Sequence, residues 1–148
     1  MIYKLNNKDE QKLKTLGDLW LNSNITTHNF IDEKYWISNY ENVLKAFKKA
    51  DIIVYTRNEE IIGFCGLVDN YIAGMFVEKN ERNQGIGDKL IKYLQTEKDN
   101  LSLKVYQQNK KAIKFYKHHN FKIKEETKDE TQNKEYIMYW NKWLYILR

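Results

Sequence analysis

The order of strand-like and helix-like segments predicts an α+β fold in which helices flank a mixed, mostly antiparallel central sheet. Seven segments rich in β-branched and aromatic residues are interspersed with four stretches of helical periodicity. Three of these strands follow one another through short turns, which predicts an antiparallel meander. One strand–helix–strand unit comes next, and we expect its crossover to be right-handed. The segments alternate too little for a doubly wound parallel sheet.

The amino-terminal half is predicted to place two helices before the meander. Leu13 and Leu16 recur at helical spacing, and so do Tyr40, Val43 and Phe47. Between the two helices lies SNITTHNFIDE, which we interpret as a polar connection. The predicted elements are a strand at 2–5, helices at 8–21 and 35–50, and strands at 51–56, 61–68 and 71–77.

The carboxyl-terminal half is predicted to alternate helices and strands. Ile86, Leu90 and Leu94 share one face of a helix, and a polar loop near the end joins two strands into a hairpin. The apolar tail NKWLYILR after Trp140 either covers the sheet or pairs with another subunit. The predicted elements are helices at 85–96 and 109–119 and strands at 101–106, 121–126 and 135–140.

Composition limits the classes of protein to consider. With 148 residues, 42% of them hydrophobic, we expect a single domain over 1–148 with a sizeable core. No segment approaches the ~20 apolar residues of a membrane span, and no signal-peptide core is present. We therefore expect a cytoplasmic protein without a membrane partner. Cys65 is the only cysteine, and no residue spacing indicates a metal site.

Charge is concentrated in one segment. The net charge is +5, and the segment from Lys104 to Lys124 contains seven lysines and no acidic residue. Such a segment either attracts an anionic partner or forms a solvated helix face.

Two glycines in the stretch ERNQGIGDKL, residues 81–90, lie between a predicted strand and a predicted helix. A helix start presents unpaired N–H groups and a partial positive charge. Glycine there lets an anion approach the backbone, which suits phosphate. The sequence has neither the P-loop nor the dinucleotide motif, because Leu90 follows Gly87 where the latter needs glycine.

The spacing Arg82-x-x-Gly85-x-Gly87 resembles motif A of the GNAT superfamily of N-acetyltransferases. A second resemblance lies downstream, in QQNKKAIKFYKHHNF, where the family has an Asn that opens a helix and a Phe-Tyr pair near its end. Asn120 stands where the family usually has glycine, and Asn also tolerates a left-handed cap. The order of elements matches the GNAT fold over nearly the whole chain, so the resemblance also implies central strands that splay apart.

The resemblance implies acetyl-CoA, or coenzyme A, as the cofactor. The loop and helix start would hold its pyrophosphate, the strand 75–77 would pair with the pantetheine arm, and Asn109 would bind the arm or cap its helix. The residues implied in cofactor binding are Met75, Phe76, Val77, Arg82, Asn83, Gln84, Gly85, Ile86, Gly87, Asp88, Lys89, Asn109, Ala112, Phe115 and Tyr116. Arg82 can instead pair with Glu78 or Glu81.

The resemblance also implies a catalytic role for Tyr116, whose hydroxyl would protonate or stabilise the leaving thiolate as a general acid. The segment THNFIDEKYW resembles the acceptor side of a bacterial subgroup, which makes His28 and Phe30 candidates for substrate binding. The general base stays open. The candidates are Glu78, Asp69, Glu33 and His28, with loss of the proton to water as the alternative.

These observations predict an acetyltransferase that moves the acetyl group of acetyl-CoA directly to a primary amine. The acceptor is a small amine, an amino acid, a peptide or a protein lysine, and the enzyme is a monomer or a homodimer. Two alternatives remain, a non-catalytic acyl-CoA sensor and a basic nucleic-acid-binding module. We disfavour nucleic acid as a partner because arginine is scarce.

Overall fold

A computed structural model describes the backbone of residues 1–146 and the side chains of residues 1–144. It contains one seven-stranded sheet. The strands are β1 (Ile2–Lys4), β2 (Asp51–Arg57), β3 (Glu60–Val68), β4 (Tyr71–Val77), β5 (Asn100–Tyr106), β6 (Lys122–Lys128) and β7 (Lys134–Asn141). The helices are α1 (Glu10–Thr27), α2 (Glu33–Lys49), α3 (Ile86–Glu97), α4 (Lys110–His118) and α5 (Lys142–Ile146).

The strand order is β1-β2-β3-β4-β5-β7-β6, and every neighbouring pair is antiparallel except β4 with β5. The meander β2-β3-β4 and the crossover β4-α3-β5 confirm the predicted α+β arrangement. The expectation of a single crossover was wrong, because β7 inserts between β5 and β6. Since β7 is antiparallel to both, β5 and β6 run parallel, and α4 makes a second crossover between them.

Helices cover the two faces of the sheet over different strands. Successive residues of β2 are buried on opposite faces, with Ile53 packed towards α3 and Ile52 towards α1 and α2. Both faces of this strand therefore lie inside a core, which explains its unbroken apolar sequence. None of the helices in the described part of the chain is long and apolar enough to cross a bilayer.

The central strands diverge after a very short ladder. β4 and β5 pair only through Tyr71 with Ser102 and Ile72 with Leu103. On its other edge β4 stays paired with β3 as far as Val77. The segment 73–77 is therefore held in the sheet from one side while its other edge faces the gap left by β5. This confirms the predicted splay.

Helix α1 extends beyond its predicted end. It continues six residues past Leu21, through the first five of the eleven residues interpreted as a polar connection. Tertiary contacts hold this extension in place: Ser23 and Asn24 are buried, and Arg82 donates to Ser23 Oγ at 3.1 Å. Asn24 Nδ2 and Thr26 Oγ1 donate to the carbonyls of Trp20 and Asn22 at 2.9 and 2.7 Å, so their polar groups have partners within the helix. Packing against the rest of the protein thus outweighs the weak helix propensity of these residues.

The apolar tail begins as α5, in which Trp143 and Leu144 are exposed. More than half of each side chain is accessible to solvent, so neither is buried against the sheet. The rest of the tail, residues 145–148, lies outside the described side chains, and pairing of the tail with another subunit stays a prediction.

Candidate active site

A cleft with a volume of about 380 Å³ opens where β4 and β5 separate. Its walls are the end of β4, the loop and first turn of α3, the start of α4 and the last turn of α1. All but two of the predicted cofactor-binding residues line it. These are Met75, Phe76, Val77, Arg82, Asn83, Gly85, Ile86, Gly87, Asp88, Asn109, Ala112, Phe115 and Tyr116.

The two other predicted residues lie outside the cleft wall. The side chain of Gln84 is exposed next to the loop glycine. Lys89 points its ammonium at the ring of Tyr55, 5.7 Å from the ring centroid. The predicted role of Gln84 is therefore limited to its backbone N–H group. Lys89 can contribute only charge at a distance, because its backbone N–H donates to the Gly85 carbonyl inside the helix, and its predicted N–H contact with the pyrophosphate was wrong.

The start of α3 is built to accept an anion. Gly85 precedes the helix with φ of +79°, a left-handed conformation, and no side chain caps the first turn. The first helical hydrogen bond runs from Lys89 N–H to the Gly85 carbonyl at 3.1 Å. The N–H groups of Ile86, Gly87 and Asp88 therefore have no acceptor inside the helix. At Gly87, a Cβ atom would come within 3.4 Å of the Phe115 ring, so a side chain there would crowd the cleft.

The Arg82 side chain ties the loop to two other elements. Its Nε donates to the Val77 carbonyl at 3.1 Å and its terminal nitrogen donates to Ser23 Oγ at 3.1 Å. Pairing with Glu78 or Glu81, the alternative expected from the sequence, does not occur. Glu81 binds Arg57 at 2.6 Å instead, and Glu78 accepts from Asn80 N–H at 2.8 Å.

A side-chain contact joins the start of α3 to the end of α4. Asp88 Oδ1, in the first turn of α3, lies 2.6 Å from Nε2 of His119, the residue that caps α4. The His119 side chain is buried and its ring packs against Phe115. This pair fixes the spacing between the anion-binding turn and α4.

A chain of three side chains connects α1 to α4 across the cleft. His28 Nδ1 lies 2.9 Å from Asn24 Oδ1, and His28 Nε2 lies 3.2 Å from Asn109 Nδ2. Asn109 Oδ1 accepts from Ala112 N–H at 3.2 Å, which makes Asn109 the cap of α4. Burial lowers the pKa of His28 to about 4, so the ring is neutral near pH 7.

Tyr116 lies on the cleft wall with its ring between Phe115 and Phe121, at centroid distances of 5.2 and 5.5 Å. Burial, with a smaller effect of the nearby Cys65 thiol, raises the pKa of Tyr116 above its ordinary value. The hydroxyl therefore keeps its proton and can donate a hydrogen bond. Cys65 is fully buried, and burial raises its pKa to about 12, so it remains an unreactive thiol, as its strand position predicts.

The four predicted bases do not converge on the cleft. Only His28 lines it, and both of its ring nitrogens already have partners. Glu78 caps the loop, Asp69 sits in the β3–β4 turn with φ of 54°, and Glu33 is in the first turn of α2.

The predicted substrate-binding pair separates into two positions. His28 lines the cleft, whereas Phe30 lies behind it and stacks edge-on against His28 and Tyr106, with centroids 5.7 and 5.4 Å away. The Tyr106 hydroxyl donates to Asp129 Oδ2 at 2.5 Å. Phe30 and Tyr106 therefore pack against the His28 ring that lines the cleft.

Sequence reasoning missed the contribution of α1. Ser23 and Thr27 line the cleft, and Asn24 is buried behind it. The available signal was the i, i+4 spacing of Asn24 and His28, which places both on one helical face if the helix continues. Reading the segment as a loop concealed that spacing.

Comparisons with known proteins agree with one another. The family model described as an acetyltransferase (GNAT) domain matches residues 48–123. The chain is 34% identical over 132 residues to the peptidyl-lysine N-acetyltransferase YiaC of Escherichia coli, covering 87% of this chain and 90% of that protein.

Solved structures share the fold. The apo form of YjaB from Escherichia coli superposes with a TM-score of 0.80 at 21% identity, covering 95% of this chain and 96% of that one. The protein yncA of Salmonella typhimurium, solved with its cofactor acetyl-CoA, superposes with a TM-score of 0.65 at 14% identity over 96% and 93% of the two chains.

Proposed function

This chain belongs to the GNAT family of acetyltransferases, and from that premise we propose that it transfers the acetyl group of acetyl-CoA directly to the side-chain amine of a lysine in a peptide or protein. One observation carries the proposal. The uncapped start of α3, the edge of β4 that β5 leaves, and Tyr116 all border the same cleft.

The residues of the cleft fit a CoA-type cofactor. The N–H groups of Ile86, Gly87 and Asp88 would bind the pyrophosphate, because a helix start favours negative charge. The backbone of Met75, Phe76 and Val77 would pair with the amides of the pantetheine arm in the manner of an added strand. Asn109 lines the cleft, and the second N–H of its Nδ2, beside the one that faces His28, would bind the same arm. Lys111, on the cleft wall, adds positive charge for the phosphates.

When bound, acetyl-CoA supplies a thioester whose acetyl group passes to an amine while a thiolate leaves. Tyr116 would donate a hydrogen bond to the leaving sulfur. The ordinary pKa of a tyrosine hydroxyl already exceeds that of a thiol, and burial raises the pKa of Tyr116 further, so full transfer of its proton is less favourable than the sequence suggests. The role supported best is stabilisation of negative charge by a donor that stays protonated.

Proton removal from the acceptor ammonium is assigned to water. His28 is excluded as the base because its nitrogens bind Asn24 and Asn109. The three predicted carboxylates, Glu78, Asp69 and Glu33, do not line the cleft. The two carboxylates that do line it, Glu81 and Asp88, are engaged with Arg57 and His119. A water chain that enters with the acceptor needs no dedicated side chain.

The choice of a peptide lysine as the acceptor is based on the proteins that this chain resembles in sequence. YiaC and YjaB are both peptidyl-lysine N-acetyltransferases by name, and each matches more than four fifths of this chain. A lysine within a peptide is therefore favoured over a small amine or a free amino acid. The position of Tyr116 in the cleft supports catalysis over a cofactor sensor. Cytoplasmic location and a monomer or homodimer stay predictions.

The test is an acceptor panel with acetyl-CoA. Thiol release is followed with a lysine peptide, the same peptide with its lysine replaced by arginine, free lysine and an aminoglycoside. Mass spectrometry then locates the acetyl group. We expect acetylation of the lysine side chain in the peptide alone. Transfer to the aminoglycoside in preference to the peptide would overturn the acceptor class, and CoA binding without transfer to any amine would favour the sensor.

A further inference from the structure

The interaction between His28 and Asn109 has a fixed direction. Asn109 Oδ1 accepts from Ala112 N–H at 3.2 Å, so its Nδ2 is the atom that donates towards His28 Nε2, 3.2 Å away. His28 Nε2 must then carry a lone pair, and the proton must sit on Nδ1. From there it donates to Asn24 Oδ1 at 2.9 Å.

The chain of bonds continues into the backbone of α1. With its oxygen facing His28, Asn24 presents its Nδ2 to the Trp20 carbonyl at 2.9 Å. Asn24 is buried, and its amide has a partner at each end. One arrangement of donors and acceptors therefore satisfies every link from Trp20 to Ala112, and a proton on His28 Nε2 would break it.

From this geometry we infer that His28 is a positioning residue, which holds the Asn109 side chain in the orientation that serves the pantetheine arm. The inference rests on the proposed function. It replaces the expectation that His28 binds the acceptor or acts as a base. His28 bridges two helices on opposite sides of the cleft, so it also fixes the width of the cleft at this point.

The surroundings of His28 keep the ring neutral and immobile. Phe30, Trp36 and Tyr106 pack around it with centroids 4.9 to 5.8 Å from its own. Tyr106, whose hydroxyl donates to Asp129, is the titratable residue packed against the ring. The other titratable residues around it are Tyr35 on α2 and, on the walls of the cleft, Glu81, Arg82, Asp88, Lys111 and Tyr116. Burial and the Asp129 carboxylate raise the pKa of Tyr106, so it carries no charge near pH 7.

Three substitutions, two at His28 and one at Asn109, separate positioning from packing. His28→Phe keeps an aromatic ring against Phe30 and Tyr106 but accepts no hydrogen bond from Asn109. His28→Gln places an amide oxygen close to the position of Nε2 and so retains the acceptor. Asn109→Ser keeps a side chain that caps α4 well but is too short to reach His28.

The measurement is the dissociation constant of two ligands. Coenzyme A contains the pantetheine arm, whereas 3′-phosphoadenosine 5′-diphosphate has the phosphates without the arm. We expect His28→Phe to weaken coenzyme A binding about tenfold, the effect of one well-placed hydrogen bond, and to leave the diphosphate unchanged. His28→Gln should restore most of the loss.

A double-mutant cycle decides whether His28 acts through Asn109. The double variant His28→Phe/Asn109→Ser should bind coenzyme A no more weakly than Asn109→Ser alone, because the second change removes nothing further. Additive losses would overturn the inference and indicate direct contact of His28 with the ligand. Equal loss of both ligands in His28→Phe, or wild-type affinity for coenzyme A, would also overturn it. If the wild-type protein binds neither ligand, the proposed function itself fails.

Discussion

Replacing Tyr116 by phenylalanine removes one hydroxyl from the cleft wall and leaves the ring in place. The ring retains its contacts with Phe115 and Phe121, at 5.2 and 5.5 Å between centroids, so the stability of the fold should change little. The lost interaction is a hydrogen bond to a sulfur that becomes negatively charged. Hydrogen bonds to charged groups contribute about 1.5–3 kcal/mol, which corresponds to a roughly 10- to 150-fold decrease in kcat.

The assay is thiol release at saturating acetyl-CoA and lysine peptide, measured across pH. We expect kcat to fall in Tyr116→Phe while KM for acetyl-CoA stays near the wild-type value. Because burial raises the pKa of Tyr116, the wild-type rate should not decline between about pH 8 and 10 through loss of this proton. Tyr93→Phe, on the outer part of the same core, is the control. Wild-type kcat in Tyr116→Phe across the pH range would refute the reasoning.

Three further predictions concern the loop and the side chains around it. Gly85→Ala should lower the free energy of unfolding, measured by urea denaturation, by about 1–2 kcal/mol, because the φ of Gly85 is +79°. Gly85→Asn should lower it less, and equal losses in the two variants would contradict the conformational argument. Asp88→Asn should tighten coenzyme A binding about two- to fivefold at low salt by removing an anion from the first turn of α3, measured by calorimetry at two ionic strengths. Unchanged affinity would contradict this electrostatic argument. The folded-state pKa of His28 lies near 4, below its ordinary 6.5. As pH falls, the unfolded chain therefore takes up the proton before the folded protein does. The free energy of unfolding of the wild-type protein should decrease by about 2 kcal/mol relative to that of His28→Phe between pH 6.5 and pH 4. Parallel curves of unfolding free energy against pH for the two proteins would contradict this.

The fold was predictable because its strands carry unusually clear local signals. β4 was predicted with the bounds Tyr71–Val77 that the structure has, since turns flank it closely. The glycine loop was predictable for a similar reason, because Gly85 has a conformation that few other residues adopt. Such features depend on residues next to one another in the chain.

The missed features depend on residues far apart. No local pattern indicates that β7 inserts between β5 and β6, because this depends on which edge of β5 is left to pair. The end of α1 was misplaced because its last turns are held by contacts with distant residues, such as Arg82 with Ser23 Oγ, which helix propensity does not count. The link between His28 and Asn109 spans 81 residues of sequence, so it emerges only once both helices border one cleft.

The most direct test of the account is an experimental structure of this protein with coenzyme A bound, in which the distance from the cofactor sulfur to the Tyr116 hydroxyl oxygen is measured. The account predicts the pyrophosphate at the first turn of α3, the arm along 75–77 of β4, and the sulfur within about 3.5 Å of that oxygen. Coenzyme A bound outside this cleft, or a sulfur too far away for a hydrogen bond to Tyr116, would contradict it.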